Sequence, residues 1–308
     1  MYVAVVRYNV AIRFGALRLG DSASRYSHPM RSDIGPSMRK RRLGEELRKL
    51  RSAAGISTAD VADELGCSEG KVRHIEGGRN APSKPDLTVM VSLYGVGPEV
   101  HAALEEMRRE AGNKGWWAQY RLPTWLQSYV GLENDASNVK AFALELLPGL
   151  AQIEAYARAV HVAGAHMTKE EDVKRWVSAR LQRQARLLDD QYPLELHAVI
   201  SEAALSRVRG TEFAAEQCRH LVALAERDNV TIQVLPFSAT LHPSMSGSFV
   251  TLEFDPGVSN PVAYLEYAVG GTLVDDQDVV ARLNGLFDRL AAGALSAEDS
   301  VRYIAEWI

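Results

Sequence analysis

No run of apolar residues in the 308-residue chain approaches the roughly 20 needed to cross a bilayer, so nothing in the sequence points to a membrane. Cysteine is almost missing. Cys67 and Cys218 lie far apart and make no metal-ligand spacing, which excludes a disulfide framework or a zinc cluster and fits a reducing, cytoplasmic setting. Catalytic signatures are missing as well: there is no G-x-S-x-G elbow, no H-E-x-x-H, no phosphate-binding P-loop and no dinucleotide glycine pattern. The chain is therefore read as a non-enzyme with no cofactor and no metal.

Net positive charge is also lacking, at −4 for the whole chain, but its distribution is uneven. Residues 1–84 hold 16 Lys or Arg against 9 Asp or Glu, a net +7, while the remainder holds 19 against 30, a net −11. A basic front on an acidic body is what a protein needs when only one end meets phosphate.

Residues 55–82 carry most of the functional information. Ser57 can cap a helix whose apolar positions Ala59, Val61, Ala62 and Leu65 share a side; Gly66 ends it, and Ser68 caps a second helix. In that second helix Val72 and Ile75 turn inward, leaving Glu69, Gly70, Arg73 and His74 on the solvent side. Those four are the candidate base readers: Arg can bond guanine bidentately, Glu can accept from cytosine, and Gly permits close approach. Thr58, Ser68, Lys71, Arg79 and Asn80 are the candidate phosphate contacts, which position without reading. Taken alone, Glu69 and Arg73 at i and i+4 would be a surface ion pair worth a few tenths of a kcal/mol.

The turn glycine, the apolar spacing and the run Ile75-Glu76-Gly77-Gly78-Arg79 with Pro82 together resemble the xenobiotic-response-element class of helix-turn-helix domains. The likeness covers residues 43 to about 95 and implies a small helical bundle, with Leu43, Leu47 and Leu50 on an opening helix and Leu87, Val91 and Leu93 on a fourth. That class commonly has Gln where this chain has Thr58, which shortens the reach to a phosphate. Ahead of the bundle, Arg39, Lys40, Arg41 and Arg42 read as a basic arm or a solvated charge cluster. Residues 1–37 read as a disordered extension or a misplaced start.

The division is thus 1–37, a helix-turn-helix domain over 38–98, and an α+β effector or dimerisation domain over 99–308. Beyond the Gly112–Gly115 break, Trp116 and Trp117 fit core packing between the two parts better than a ligand cage. Helical patterns dominate, with one from Lys169 to Leu188, and four extended stretches follow at Leu194–Ile200, Val230–Leu235, Ser248–Phe254 and Val262–Tyr267. The fold class expected is mainly α, a helix-turn-helix bundle followed by a helix-rich domain with a small mixed or antiparallel sheet.

The words from Glu145 to Arg158, from Gly247 to Phe254 and from Val262 to Glu266 resemble the uncharacterised domain behind this DNA-binding module in WhiJ-like regulators of actinobacteria. That resemblance implies a transcription regulator, often paired with a small partner protein. His242, Ser244, Tyr264 and Glu266 form a candidate pocket, with Ser246 and Glu253 near them in sequence, although Ser and His at strand edges are more often turn formers. The leading expectation is a homodimeric, sequence-specific regulator that binds double-stranded DNA and senses a small-molecule effector or a partner through its second domain. The alternative is an antitoxin-like partner of a small adjacent-gene protein.

Overall fold

A computed structural model describes residues 35–164 and 169–308. The first unit holds five helices: α1 (Pro36–Ala53), α2 (Thr58–Glu64), α3 (Glu69–Glu76), α4 (Lys84–Leu93) and α5 (Pro98–Ala111). Proline in the first turn starts α1, where a missing N–H costs nothing. Of the 1–37 extension only Gly35 to Ser37 lie among the described residues, and α1 begins within them.

Both helices of the turn motif are capped as their sequences require. Ser57 accepts from the Asp60 amide at 3.1 Å while Asp60 accepts from the Ser57 amide at 2.9 Å, a reciprocal capping box worth about 1 kcal/mol. Gly66 takes a φ of 60°, a left-handed turn that a side chain would resist, and Ser68 caps α3. Leu43, Leu47, Val61, Val72, Ile75 and Leu87 are fully or almost fully buried together. Ala59, expected on the inner side of α2, is exposed. It lies about 200° around the helix from Val61, so a seven-residue helix buries Val61, Ala62 and part of Leu65 instead. Packing runs across the division after residue 98, because Leu104 and Met107 of α5 join this same core.

The second unit is a six-stranded mixed sheet with helices on both faces. Its strands are β1 (Asn138–Ala143), β2 (Glu195–Ser201), β3 (Val230–Leu235), β4 (Phe249–Glu253), β5 (Val262–Tyr267) and β6 (Gly270–Val274), in the order β3-β2-β1-β4-β5-β6. β1, β2 and β3 run parallel, and β4, β5 and β6 continue the sheet antiparallel. Four of these match the expected extended stretches; β1, at the centre, and β6, at the edge, are additional.

Parity along the strands separates two cores. Val139, Leu196, Ala198, Ile232, Leu252 and Tyr264 face α6 (Thr124–Asp135), α8 (Glu170–Gln184) and α10 (Ala214–Ala225). Phe142, Val199, Leu235 and Phe249 face Phe287 and Leu290 of α11 (Gln277–Gly293). The remaining helices are α7 (Glu154–Ala163) and α9 (Glu202–Val208), within the crossovers, and α12 (Ala297–Ala305), against β3.

α1 belongs to both units. Leu43 and Leu47 sit in the first core, whereas Met38, one turn earlier, is buried in the second beside Trp117. Ser37 presses so closely on Gly131 of α6 that a Cβ there would lie 1.9 Å from its hydroxyl oxygen. The Gly35 amide donates to Asp135 at 3.0 Å, and the Arg41 Nε donates to Ser259, between β4 and β5, at 2.7 Å. Trp117 is thus core packing at the junction, as the sequence suggested, and Trp116 meets it edge-on at 5.8 Å.

Candidate nucleic-acid interface

α3 is held from behind and open in front. Val72 and Ile75 are buried, and α1 approaches so near that a Cβ on Gly44 would lie 2.4 Å from the Ile75 carbonyl oxygen. The last residue of α3, Glu76, is buried and accepts two hydrogen bonds from the Arg51 guanidinium, at 2.6 and 2.9 Å. Arg51 also donates to the Ile56 carbonyl at 2.8 Å. This bidentate pair fixes where the end of α3 lies on α1. Pattern reading passed over it, because 25 residues separate the partners and only a charged residue on the inner side of α3 hinted at it.

The outward face carries Gly70, Arg73 and His74, with Glu69 at its start. A Cβ on Gly70 would meet nothing nearer than Ser68 Oγ at 3.6 Å, so packing within the protein does not require glycine there. Arg73 is largely exposed, with 63% of its side chain accessible. Its Nη1 lies 3.3 Å from Glu69 Oε2, and the same carboxylate oxygen accepts from the Thr58 hydroxyl at 2.9 Å. Glu69 therefore ties α2 to α3 and steadies Arg73. Thr58 has its donor engaged within the protein, so the phosphate contact expected of it needs that bond to break.

Arg79 donates from Nη1 to His74 Nε2 at 3.3 Å. A guanidinium can only donate, so Nε2 is unprotonated while this bond lasts and the ring proton sits on Nδ1. Lys71 pairs with Asp86 of α4 at 2.9 Å, a hydrogen bond that raises the lysine pKa and lowers that of the carboxyl. The lysine end of the pair is exposed and the pair is worth at most about 1 kcal/mol, so Lys71 can exchange it for a phosphate. Asn80 is exposed beyond the end of α3, and Ser68 is engaged as the cap of that helix.

The residues expected to form a basic arm belong to a helix instead. Arg39, Lys40, Arg41 and Arg42 lie in the first turns of α1, and Arg41 is buried, paired with Glu45 at 3.0 Å. Proline at Pro36 and the burial of Met38 extend the helix upstream of Leu43, so these side chains are fixed on a rod. They line no free strand able to enter a minor groove.

In front of α3 lies a cleft of about 650 Å³ whose opposite wall belongs to the second unit. Gly70, Arg73 and His74 form one side; Thr124, Gln127 and Ser128 of α6 contribute to the other.

Two family models match the chain. A helix-turn-helix domain matches residues 42–104, and the Domain of unknown function (DUF5753) matches residues 126–306. The chain belongs to the DUF5753 family. No curated protein and no solved structure matches it. The helix-turn-helix match makes DNA the partner to expect of the first unit.

Within the DUF5753 domain the candidate pocket does not assemble. His242 packs edge-on against Phe142, 5.4 Å between ring centroids, on the side of the sheet covered by α11. Its Nδ1 accepts from the Ser244 amide at 3.3 Å, and Ser244 donates to the Gly247 carbonyl at 2.7 Å, so the two close a turn. Tyr264 points to the opposite face, stacked on Tyr129 at 4.1 Å, and Glu266 lies two residues along the same strand. The pleat of β5 sends Tyr264 and Glu266 to the face that His242 does not occupy.

What that other face does contain is a buried polar cluster. Arg183 of α8 donates to both oxygens of Glu133 of α6, at 2.6 and 2.7 Å, and the Tyr129 hydroxyl donates to the same carboxylate at 2.6 Å. The guanidinium lies 5.2 Å from the Tyr129 ring centroid. Tyr129, Tyr264 and Trp125 stack in sequence beside it. No spacing rule joins these residues, since Glu133 and Arg183 are 50 residues apart.

Among the described residues no helix is long and apolar enough to cross a membrane, and no group of three or more His, Cys, Asp or Glu is placed to hold a metal.

Proposed function

We propose that this protein is a sequence-specific transcription regulator of the xenobiotic-response-element type, similar to WhiJ-like regulators, working in the cytoplasm as a homodimer, with the DUF5753 domain as the part that senses an effector or partner. α3 enters the major groove, where Gly70 permits close approach and Arg73 and His74 meet base edges. Glu69 orients Arg73 and can accept from cytosine. Lys71, Arg79, Asn80 and the capped start of α3 at Ser68 hold the phosphates. Two copies are needed because one helix reading three or four base pairs discriminates weakly.

The observation that carries this reading is the exposure of Arg73 and His74 on a helix whose other side is locked by Val72, Ile75 and Glu76. DNA from the region upstream of the protein's own gene is the substrate for the test. Lys71→Ala and Arg79→Ala are expected to weaken binding to that DNA and to random DNA alike, each lowering the salt dependence by about one counterion. No binding to any duplex at low salt would sink the proposal.

A second reading is a small partner protein held by the DUF5753 domain, in the manner of an antitoxin. Phe237, Leu241 and Met245 favour it, being 60%, 85% and 56% exposed on the loops that leave β3 and enter β4. Exposed apolar groups gathered at one end of a sheet suit a protein partner. Co-expression with the product of an adjacent small gene and recovery of a stable complex would support it. Neither reading calls for an enzyme.

A further inference from the structure

The cleft between α3 and α6 has an unusual balance of charge and apolar surface. Trp117, Leu132 and Leu273 contribute apolar lining. Six cations border it and only two anions, Glu76 and Asp275; Glu76 is already held by Arg51. Arg48 reaches Asp275 only at 3.9 Å, and Arg79 has His74, a neutral acceptor, rather than an acid. Lys40 has no hydrogen-bond or ion-pair partner among the described residues although it is half-buried, and burial pulls its pKa below the usual lysine value. A partly desolvated cation without a counter-charge is unfavourable, and an anion beside it removes the penalty.

Across the cleft stand neutral hydrogen-bonding side chains, Thr124, Gln127 and Ser128. The volume, about 650 Å³, is that of a small-molecule site.

We infer that this cleft binds a small phosphate ester with a flat ring system, of nucleoside-phosphate character, its phosphate on Lys40 and Arg79 and its ring on the apolar lining, and that it excludes DNA from α3. The exclusion follows from shared residues, since Arg73 and His74 line the cleft and are the proposed base readers. This second part rests on the function proposed above; the ligand site itself does not. Because coupling is reciprocal, DNA must expel the ligand by the same factor that the ligand weakens DNA binding.

Calorimetric titration of the full chain with ADP and, separately, with inorganic pyrophosphate tests the site. Both are expected to bind, ADP more tightly because only it has a ring for the apolar lining. Lys40→Gln is expected to weaken both at least about tenfold, as loss of a half-buried charge partner should. Ser128→Trp, which fills the cleft from the α6 side, should abolish ADP binding, while Lys174→Gln on α8 should leave it unchanged. Saturating ADP should then release upstream DNA from the unaltered protein but not from Lys40→Gln. Absence of binding by either probe at millimolar concentration, or affinities that Lys40→Gln and Ser128→Trp leave unmoved, overturns the site. Simultaneous binding of ADP and DNA without mutual effect overturns the exclusion. Lys40-dependent ADP binding by a protein that binds no DNA would uphold the site and reject the regulator.

Discussion

Each unit of the molecule contains one buried, bidentate Arg–Glu pair, and the two are built for different ends. In the helix-turn-helix unit Arg51 and Glu76 join the ends of α1 and α3, with 14% and 4% of their side chains exposed. In the DUF5753 domain Arg183 and Glu133 lie deeper, at 8% and 2%, and carry Tyr129 and an aromatic stack with them. The first pair sits at the rim of a small apolar core and sets the angle at which one helix is presented. The second is enclosed by the larger core and locks two helices over a sheet. A pair at the rim adjusts geometry, whereas an enclosed pair decides whether the surrounding structure forms at all.

Removing a partner should cost most where the pair is most enclosed. Arg183→Ala leaves Glu133 buried and uncompensated, so it should destabilise the protein by about 3–5 kcal/mol. Thermal or denaturant unfolding measures this, and the double change Arg183→Met with Glu133→Leu should recover much of the loss. Glu76→Ala strands a guanidinium that is less enclosed, and a smaller cost, about 2–3 kcal/mol, is expected. Hydrogen exchange should show the loss concentrated in α3; a loss as large and as general as that of Arg183→Ala would erase the distinction drawn between the pairs.

A third effect belongs to the DUF5753 domain alone. Burial, with Arg180 close by, lowers the pKa of His161 to about 4, and its Nε2 has no hydrogen-bond partner among the described residues. The folded form therefore holds the ring neutral while an unfolded chain, with an ordinary value near 6.5, takes up a proton. Between those values the unfolded state binds more protons, so stability falls as pH drops from about 6.5 to about 4 and is unaffected by this group above that window. The full shift would correspond to about 3 kcal/mol at the acid end, and solvent screening of the partly exposed ring makes the contribution smaller. Subtracting the pH profile of His161→Leu from that of the unaltered protein isolates it, and a flat difference would remove His161 from the account.

The smallest effect on stability is the most informative for function. Gly70→Ala makes only an ordinary contact with Ser68 Oγ, 3.6 Å away, and replaces a poor helix former, so the protein should gain about 0.5–1 kcal/mol. If α3 lies in a groove, the same methyl group should weaken DNA binding. A variant that is both stabler and fully competent for DNA would show that the Gly70 face stays clear of the duplex.

These two regions were not equally legible. Capping serines, the turn glycine and apolar residues three and four apart fix α2, α3 and their core within about 30 residues, and those signals are local. Arg39 to Arg42 misled because helix propensity and the burial of Met38 act there, and neither shows in a run of four bases. In the second unit, β2 to β5 announce themselves by alternating or β-branched residues. β1 does not, because Asn138-Val139-Lys140-Ala141-Phe142-Ala143 runs into Leu144-Glu145-Leu146-Leu147 and reads as helix until β2 and β4 pair with it. β6 begins with two glycines and is a strand only because β5 lies beside it. His242 and Tyr264 stand 22 residues apart in sequence, yet the sheet lies between them, a separation that only the pleat decides. The cleft was beyond any local signal, since its walls come from α1, α3, α6 and β6.

Whether the outer face of α3 reads base sequence is decided by the ratio of affinities for upstream DNA and random DNA at fixed salt. Arg73→Ala and His74→Ala should each carry that ratio down toward one by about 1–3 kcal/mol while random binding hardly changes. A fall in both affinities by the same factor, leaving the ratio intact, would contradict the account.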